Sequence, residues 1–79
     1  MIVTTSRYAS SRVRKEAIEF ANNKKALYIA RGKRTINSIV DLAWRKGHHL
    51  IIIFREKNGK VAGFDEIKID QWGDWKWKK

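Results

Sequence analysis

The order strand, basic loop, helix occurs twice in the first half of this chain, and this repeat restricts the fold more than any other feature. Residues 1–5 are β-branched or apolar, and a second, largely apolar run extends over residues 25–30; such short runs favour buried strands. Each run is followed by a loop rich in Arg and then by an amphipathic helical pattern. Strands that alternate with helices favour a parallel sheet with right-handed crossovers. The sequence therefore predicts an α/β fold.

The two helices are predicted from apolar residues that share one helical face. In the first helix these are Val13, Ala17, Phe20 and Ala21, and in the second Ile36, Ile39, Val40 and Ala43. We expect Ser10 or Ser11 to cap the first helix and Thr35 to cap the second, because these hydroxyls accept hydrogen bonds from free amides at a helix start. Gly47 is expected just beyond the end of the second helix.

A hairpin completes the predicted sheet. Residues 50–54 form a continuous apolar run, which is typical of a central strand that is covered on both faces. Asn58-Gly59 is a strong signal for a two-residue hairpin, so residues 60–69 are expected to return antiparallel. The predicted order is β-α-β-α-β-β, with three parallel strands and one antiparallel edge strand.

Composition favours one small domain. The chain of 79 residues has no Pro and no linker rich in Gly and Ser, so we expect a domain over residues 1–70 and a Trp/Lys-rich tail over residues 71–79. The absence of Cys excludes disulfides and zinc sites with Cys ligands. No apolar run approaches the roughly 20 residues that span a bilayer. A cytoplasmic protein without a membrane segment is the resulting expectation.

The charge of the chain indicates a polyanionic partner. Eighteen Lys and Arg residues stand against eight Asp and Glu residues, for a net charge of +10. Such a charge favours binding to nucleic acid, an anionic membrane or an acidic protein. Residues 1–34 carry nine basic and two acidic side chains, whereas residues 35–79 carry nine and six. The first half is therefore the better candidate for the polyanion-binding face.

Two basic loops are expected to lie side by side at one edge of the sheet. Loops that leave the carboxyl ends of parallel strands share the edge where such sheets bind ligands, and here each loop opens a helix N-terminus. We call residues 5–14 and 31–35 together the basic rim. Cations are unfavourable at a helix N-terminus, so their recurrence there favours a binding role. The candidate phosphate-binding residues are Ser6, Arg7, Arg12, Arg14, Arg31, Gly32, Lys33 and Arg34.

Other interpretations of the same residues stay open. Runs of basic side chains often form a solvated face without a ligand. Gly32 fits a close approach of the backbone to a phosphate and equally a simple turn. Capping explains either Ser10 or Ser11 without any ligand. Tyr8 fits stacking on an RNA base and equally packing as a loop anchor.

Three short motifs resemble the N-terminal half of a Brix domain. They are Ile-Val-Thr-Thr-Ser-Arg at residues 2–7, Ser-Ser-Arg-Val-Arg at residues 10–14 and Tyr-Ile-Ala-Arg-Gly-Lys at residues 28–33. The resemblance spans about residues 2–64 and is to the short archaeal Brix proteins in particular. It implies a role in ribosome biogenesis, with ribosomal RNA or its precursor as the partner.

The resemblance also implies a fold and an assembly. The Brix fold consists of two similar α/β halves, and each half is similar to the anticodon-binding domain of class II aminoacyl-tRNA synthetases. This chain resembles one half only. We therefore expect a half-Brix domain, and a homodimer that rebuilds the pair is one hypothesis for its assembly.

The Trp/Lys-rich tail is a second candidate site. In an extended chain, Trp75 and Trp77 share one face while Lys76 and Lys78 share the other. This pattern is typical of aromatic residues that stack on unpaired bases. It is equally typical of an amphipathic edge whose tryptophans pack on the domain or on a partner.

The residue pattern contains no catalytic constellation and no metal site, so we expect neither an enzyme nor a cofactor. The leading prediction is an RNA-binding protein in ribosomal RNA processing or ribosome assembly that holds phosphates through the basic rim. The alternative is a protein-interaction or self-association module that uses the Trp-rich tail and the edge strand.

Overall fold

A computed structural model describes residues 1–78 of the chain, and within that range two helices pack on a five-stranded sheet. The strands run β2-β1-β3-β4-β5 across the sheet. β1 is parallel to both β2 and β3, whereas β4 and β5 are antiparallel to their neighbours. The predicted α/β fold with three parallel strands is confirmed. The elements are β1 (Ile2–Thr5), α1 (Ser11–Asn23), β2 (Leu27–Tyr28), α2 (Ile36–Arg45), β3 (Leu50–Lys57), β4 (Lys60–Ile69) and β5 (Trp75–Lys78).

The edge of the sheet differs from the prediction, because β5 pairs with β4 and takes the edge position from it. Residues 75–78 of the predicted tail thus form a strand of the same sheet. The turn between the two strands is closed by Asp70, whose N–H donates to the carbonyl of Asp74 at 2.8 Å. The Asp70 carboxylate also accepts hydrogen bonds from the N–H groups of Trp72 and Asp74, at 2.9 and 3.0 Å.

The second strand is shorter than the sequence pattern predicts, because its expected first residues close the preceding helix. Lys25 has a left-handed backbone with φ of 53°, and the N–H of Ala26 donates to the carbonyl of Ala21 at 2.8 Å. This arrangement satisfies a free carbonyl at the end of α1. Only Leu27–Tyr28 remain as β2, although the N–H of Ile29 still reaches the carbonyl of Val3 at 2.9 Å.

Apolar residues form a core on each face of the sheet, because α1 covers one face and α2 the other. β1 and β3 lie in the middle and are buried from both sides, which explains the continuous apolar run of β3. The core under α1 contains Val3, Val13, Ala17, Ala21, Ile52 and Phe54. The core under α2 contains Ile2, Ile39, Val40, Ala43, Ile51, Ile53, Ile67 and Ile69.

The predicted caps and turn are confirmed. Ser10 Oγ accepts a hydrogen bond from the N–H of Val13 at 3.3 Å, so Ser10 rather than Ser11 caps α1. Thr35 caps α2 in the same way, through the N–H of Ser38 at 3.1 Å. Asn58 and Gly59 both have positive φ, 54° and 77°, as the tight hairpin turn requires.

Candidate nucleic-acid interface

The loops after β1 and β2 enclose a shallow depression of about 490 Å³ at the carboxyl ends of those strands. The structure thus brings the two halves of the basic rim together. The predicted RNA-binding residues that line the depression are Ser6, Tyr8, Arg14, Arg31, Gly32 and Lys33. Arg7, Arg12 and Arg34 belong to the same segments and are exposed, but they do not line the depression.

Two arginines tie these loops to each other. Arg7 is exposed, and its Nη2 donates to the carbonyl of Lys33 at 3.0 Å. Arg31 is only 7% exposed; its Nη1 donates to the carbonyl of Thr5 at 3.0 Å and its Nε to the carbonyl of Arg34 at 2.6 Å. The structure therefore gives Arg31 a positioning role that its place in a basic loop did not indicate.

Burial affects the electrostatics of the same arginine. Desolvation lowers the pKa of Arg31, and the neighbouring positive charge of Arg7 lowers it further. A second cation close to a buried guanidinium is unfavourable unless an anion compensates it. The basic rim is therefore a place where a bound phosphate would offset an existing repulsion.

Tyr8 is presented to solvent by an unusual backbone. Its φ of 58° lies in the left-handed region, and its side chain is 78% exposed. The interpretation of Tyr8 as a packed loop anchor does not fit this exposure. Beside it, Arg14 Nη1 donates to the carbonyl of Ala9 at 3.2 Å, which directs this guanidinium back towards the loop.

The β3–β4 hairpin lies beside the basic rim, a proximity that was not among the predictions although the predicted topology implies it. Ser10 Oγ donates to the carbonyl of Gly59 at 3.1 Å, and the N–H of Ser10 donates to Glu56 Oε1 at the same distance. Lys57 and Lys60 flank this turn and are exposed. The signal lies in the predicted parallel alignment of β3 with β1, which the structure confirms: both strands end at the same edge of the sheet.

Acidic groups are sparse around this surface. Neither α1 nor α2 has an acidic residue in its first turn. The Glu56 carboxylate is the exception, because it accepts the N–H of the α1 cap residue. The partial positive charge of both helix N-termini therefore adds to that of the basic side chains.

The two predicted stacking tryptophans lie elsewhere. Trp75 and Trp77 are on β5, which β3 and β4 separate from β1. Trp75 is half-buried against the core under α2, while Trp77 is 45% exposed. Their rings meet edge to face with centroids 5.8 Å apart. They cannot act on the same nucleotide as Tyr8, and they form a separate surface.

The adjacent histidines face different partners. His48 Nδ1 lies 2.8 Å from the amino group of Met1, and His49 Nδ1 lies 3.1 Å from the carbonyl of Ile69. Among residues 1–78, no group of three or more His, Cys, Asp or Glu side chains is placed to hold a metal ion.

Over the part of the chain that the structure describes, no helix is both long enough and apolar enough to cross a bilayer.

Comparisons with known proteins find structural relatives. No protein-family model matches the chain, and no curated protein matches it either. The structure of Mil, an archaeal Imp4-like protein, superposes with a TM-score of 0.75 at 25% identity, over 95% of this chain and 46% of Mil. A probable ribosomal biogenesis protein from Aeropyrum pernix K1 superposes with a TM-score of 0.74 at 22% identity, over 85% of this chain and 38% of that protein.

The aligned lengths show how much of each solved structure this chain matches. The chain spans less than half the length of both solved structures, while most of its own length is matched. The five-stranded sheet with two helices corresponds to half of a Brix domain. The chain is therefore a structural match to one half of an archaeal Imp4-like Brix protein, which confirms the family resemblance predicted from the sequence.

Proposed function

We propose that this chain binds RNA through the basic rim and acts in ribosome assembly or ribosomal RNA processing. One observation carries the proposal. Two basic loops, each of which leads into a helix N-terminus, form one surface, and hydrogen bonds from Arg7 and Arg31 hold them together. The likeness to a probable ribosomal biogenesis protein and to an Imp4-like protein supports ribosomal RNA or its precursor as the partner.

The exposed basic residues supply the phosphate contacts in this proposal. Lys and Arg side chains that neutralise phosphates release counterions, which makes binding tight and dependent on salt. Arg31 acts differently, because its guanidinium is bonded to backbone carbonyls and keeps the two loops in place. The proposed phosphate-binding side chains are Arg7, Arg12, Arg14, Lys33 and Arg34, with Lys57 and Lys60 at the border.

The loop backbone and one aromatic ring complete the site. Gly32 has φ of 51°, and no atom beyond its own and its two chain neighbours lies within 4 Å of the position that a Cβ would occupy, so a phosphate has open access to the backbone. The hydroxyl of Ser6 is proposed to donate to a phosphate oxygen. Tyr8 is proposed to stack on an unpaired base, an interaction worth about 1–3 kcal/mol.

The proposed activity is binding without chemistry, in the cytoplasm. Phosphate contacts carry little sequence information, so affinity is expected to depend more on the shape and charge of the RNA than on its sequence. The proposal assigns no catalytic residue and needs no cofactor.

A pair of charge-matched variants tests the proposal. We expect Lys33→Gln to weaken binding to a fluorescent ribosomal RNA fragment, measured by anisotropy, and to lower the slope of log affinity against log salt by about 0.7–0.9. Lys24→Gln removes the same charge at the opposite end of α1 and should bind like the wild type. Equal losses in both variants would show that net charge alone attracts the RNA, and would contradict the basic rim as the site.

A further inference from the structure

We propose that the open edge of β5 binds an extended protein segment in which apolar and acidic residues alternate. This segment would add a sixth strand to the sheet. The surface is distinct from the basic rim, and the proposal does not depend on RNA binding. It rests on the direction of the backbone groups of β5 and on the side chains along its two faces.

The hydrogen-bond pattern of β4 shows which groups of β5 face outwards. The N–H of Ile69 donates to His49 on the β3 side, and the N–H of Asp70 donates to Asp74 on the β5 side. Such directions alternate along an antiparallel strand, so Glu66 and Lys68 also bond towards β5. Their cross-strand partners are Lys78 and Lys76. The N–H and C=O groups of Trp75 and Trp77 therefore point to the open edge.

One face of this edge is apolar. Trp77 pairs with Ile67 and Trp75 with Ile69, so both indoles lie on the face that α2 covers. Trp77 is 45% exposed on this face. Side chains of an added strand on this face would meet Trp77, and apolar residues fit that position.

Lysine side chains line the other face, and acidic residues neutralise only part of their charge. Lys78 makes an ion pair with Glu66 at 3.3 Å. Lys76 and Lys68 are direct cross-strand partners of like charge, and within residues 1–78 neither makes an ion pair. Like charges directly opposite each other are destabilising. A carboxylate on an added strand beside Lys76 would relieve this repulsion, which selects acidic residues on that face.

These charges argue against a second copy of the chain as the occupant. Pairing β5 with β5 of another copy, with all tryptophans on one face, would place lysines opposite lysines. Each copy also carries a net charge of +10. RNA is disfavoured because the outward N–H and C=O groups form the alternating pattern that a polypeptide strand completes.

Two peptides of identical composition test the proposal. The first alternates Glu and Val over eight residues, and the second has four Glu followed by four Val. We expect the alternating peptide to shift the amide NMR signals of residues 75–78 and to bind about tenfold tighter than the block peptide, a difference of about 1.4 kcal/mol. Equal affinities, or shifts confined to the basic rim, would overturn the proposal.

A backbone modification gives the second readout. Semisynthetic protein with an N-methyl group on Trp77 keeps the indole and the ladder to β4 but loses one outward N–H. Its fold is verified by its NMR spectrum against unmodified protein made in the same way. We expect the alternating peptide to bind it several-fold more weakly, as the loss of one hydrogen bond predicts. Unchanged affinity would contradict strand addition.

A charge reversal identifies the occupant. Lys76→Glu should remove the preference, because the new carboxylate lies opposite Lys68, so that peptides alternating Lys and Val or Glu and Val bind about equally. Lys24→Glu, with the same change in net charge, should keep the wild-type preference. A concentration-dependent dimer in sedimentation that excludes the peptide would overturn the proposal in favour of a second copy. Displacement of the peptide from residues 75–78 by single-stranded RNA at equal concentration would overturn it in favour of base stacking.

Discussion

Arg31 Nη1 donates a 3.0 Å hydrogen bond to the carbonyl of Thr5, and this buried contact joins two loops whose residues are 26 positions apart. Together with the bond from Arg31 Nε to Arg34, it fixes the relative position of the helix N-termini that follow. The geometry of the basic rim therefore depends on this largely buried side chain in addition to the exposed contact of Arg7 with Lys33.

Removing this guanidinium should destabilise the protein. Arg31→Ala leaves the carbonyl of Thr5 without its side-chain donor, so we expect the free energy of unfolding to fall by about 1–3 kcal/mol, measured by urea denaturation. Arg34→Ala is the control, because it removes an equal charge from an exposed side chain. Similar stabilities for the two variants would contradict the positioning role of Arg31.

Ser10 and Ser11 should respond differently to the same substitution. Ser10 Oγ accepts from the N–H of Val13 and donates to the carbonyl of Gly59, so Ser10→Ala removes both the cap of α1 and its link to the hairpin. We expect a loss of about 1–2 kcal/mol in thermal or chemical unfolding. Ser11 is exposed in the first turn, and Ser11→Ala should change stability little. Equal effects would refute the assignment of the cap.

Substitutions at two glycines distinguish the effect of backbone strain from the loss of an RNA contact. Gly32 and Gly47 both have positive φ, 51° and 79°, and at either residue no atom beyond the chain neighbours lies within 4 Å of the position that a Cβ would occupy. Alanine at each should therefore cost a similar amount, about 1–2 kcal/mol of stability. Only Gly32→Ala should also weaken binding to a ribosomal RNA fragment. If both variants bind like the wild type, Gly32 is a simple turn residue.

Acidic pH should weaken the fold through His48. Burial lowers the pKa of its imidazole, and the positive charges of the amino terminus, Lys46 and His49 lower it further. Because the folded state then binds this proton less readily than the unfolded state, the free energy of unfolding is intact above the ordinary pKa of 6.5 and falls as pH drops below it.

The His48→Gln variant tests this dependence. Urea denaturation at neutral pH and at about one pH unit below the ordinary His pKa should show a smaller loss of stability in the variant than in the wild type. The same loss in both proteins would assign the acid sensitivity to other groups.

Local patterns were sufficient for most of the fold. Apolar periodicity located α1 and α2, and Asn58-Gly59 located the hairpin, because these signals depend on neighbours in sequence. The sequence pattern does not predict strand β5, because a strand of four residues becomes stable only through pairing with β4 and through the turn that Asp70 closes.

The candidate site was less accessible to sequence reasoning. The basic loops could be identified from charge and from their place after parallel strands. The burial of Arg31 could not be predicted, because its hydrogen-bond acceptors are backbone carbonyls, which no sequence pattern identifies. The position of Lys57 and Lys60 beside α1 depends on the contact between Ser10 and Gly59, which is a tertiary contact between distant residues.

NMR titration with a single-stranded ribosomal RNA fragment tests the central claim most directly. The amide signals of the isotope-labelled protein report which surface the RNA contacts. We predict that the largest shifts occur at residues 6–14 and 31–35, with smaller shifts at the β3–β4 turn and none at residues 75–78. Shifts confined to β5, with the signals of Arg7, Tyr8 and Lys33 unchanged, would contradict the account and assign RNA binding to the tryptophans.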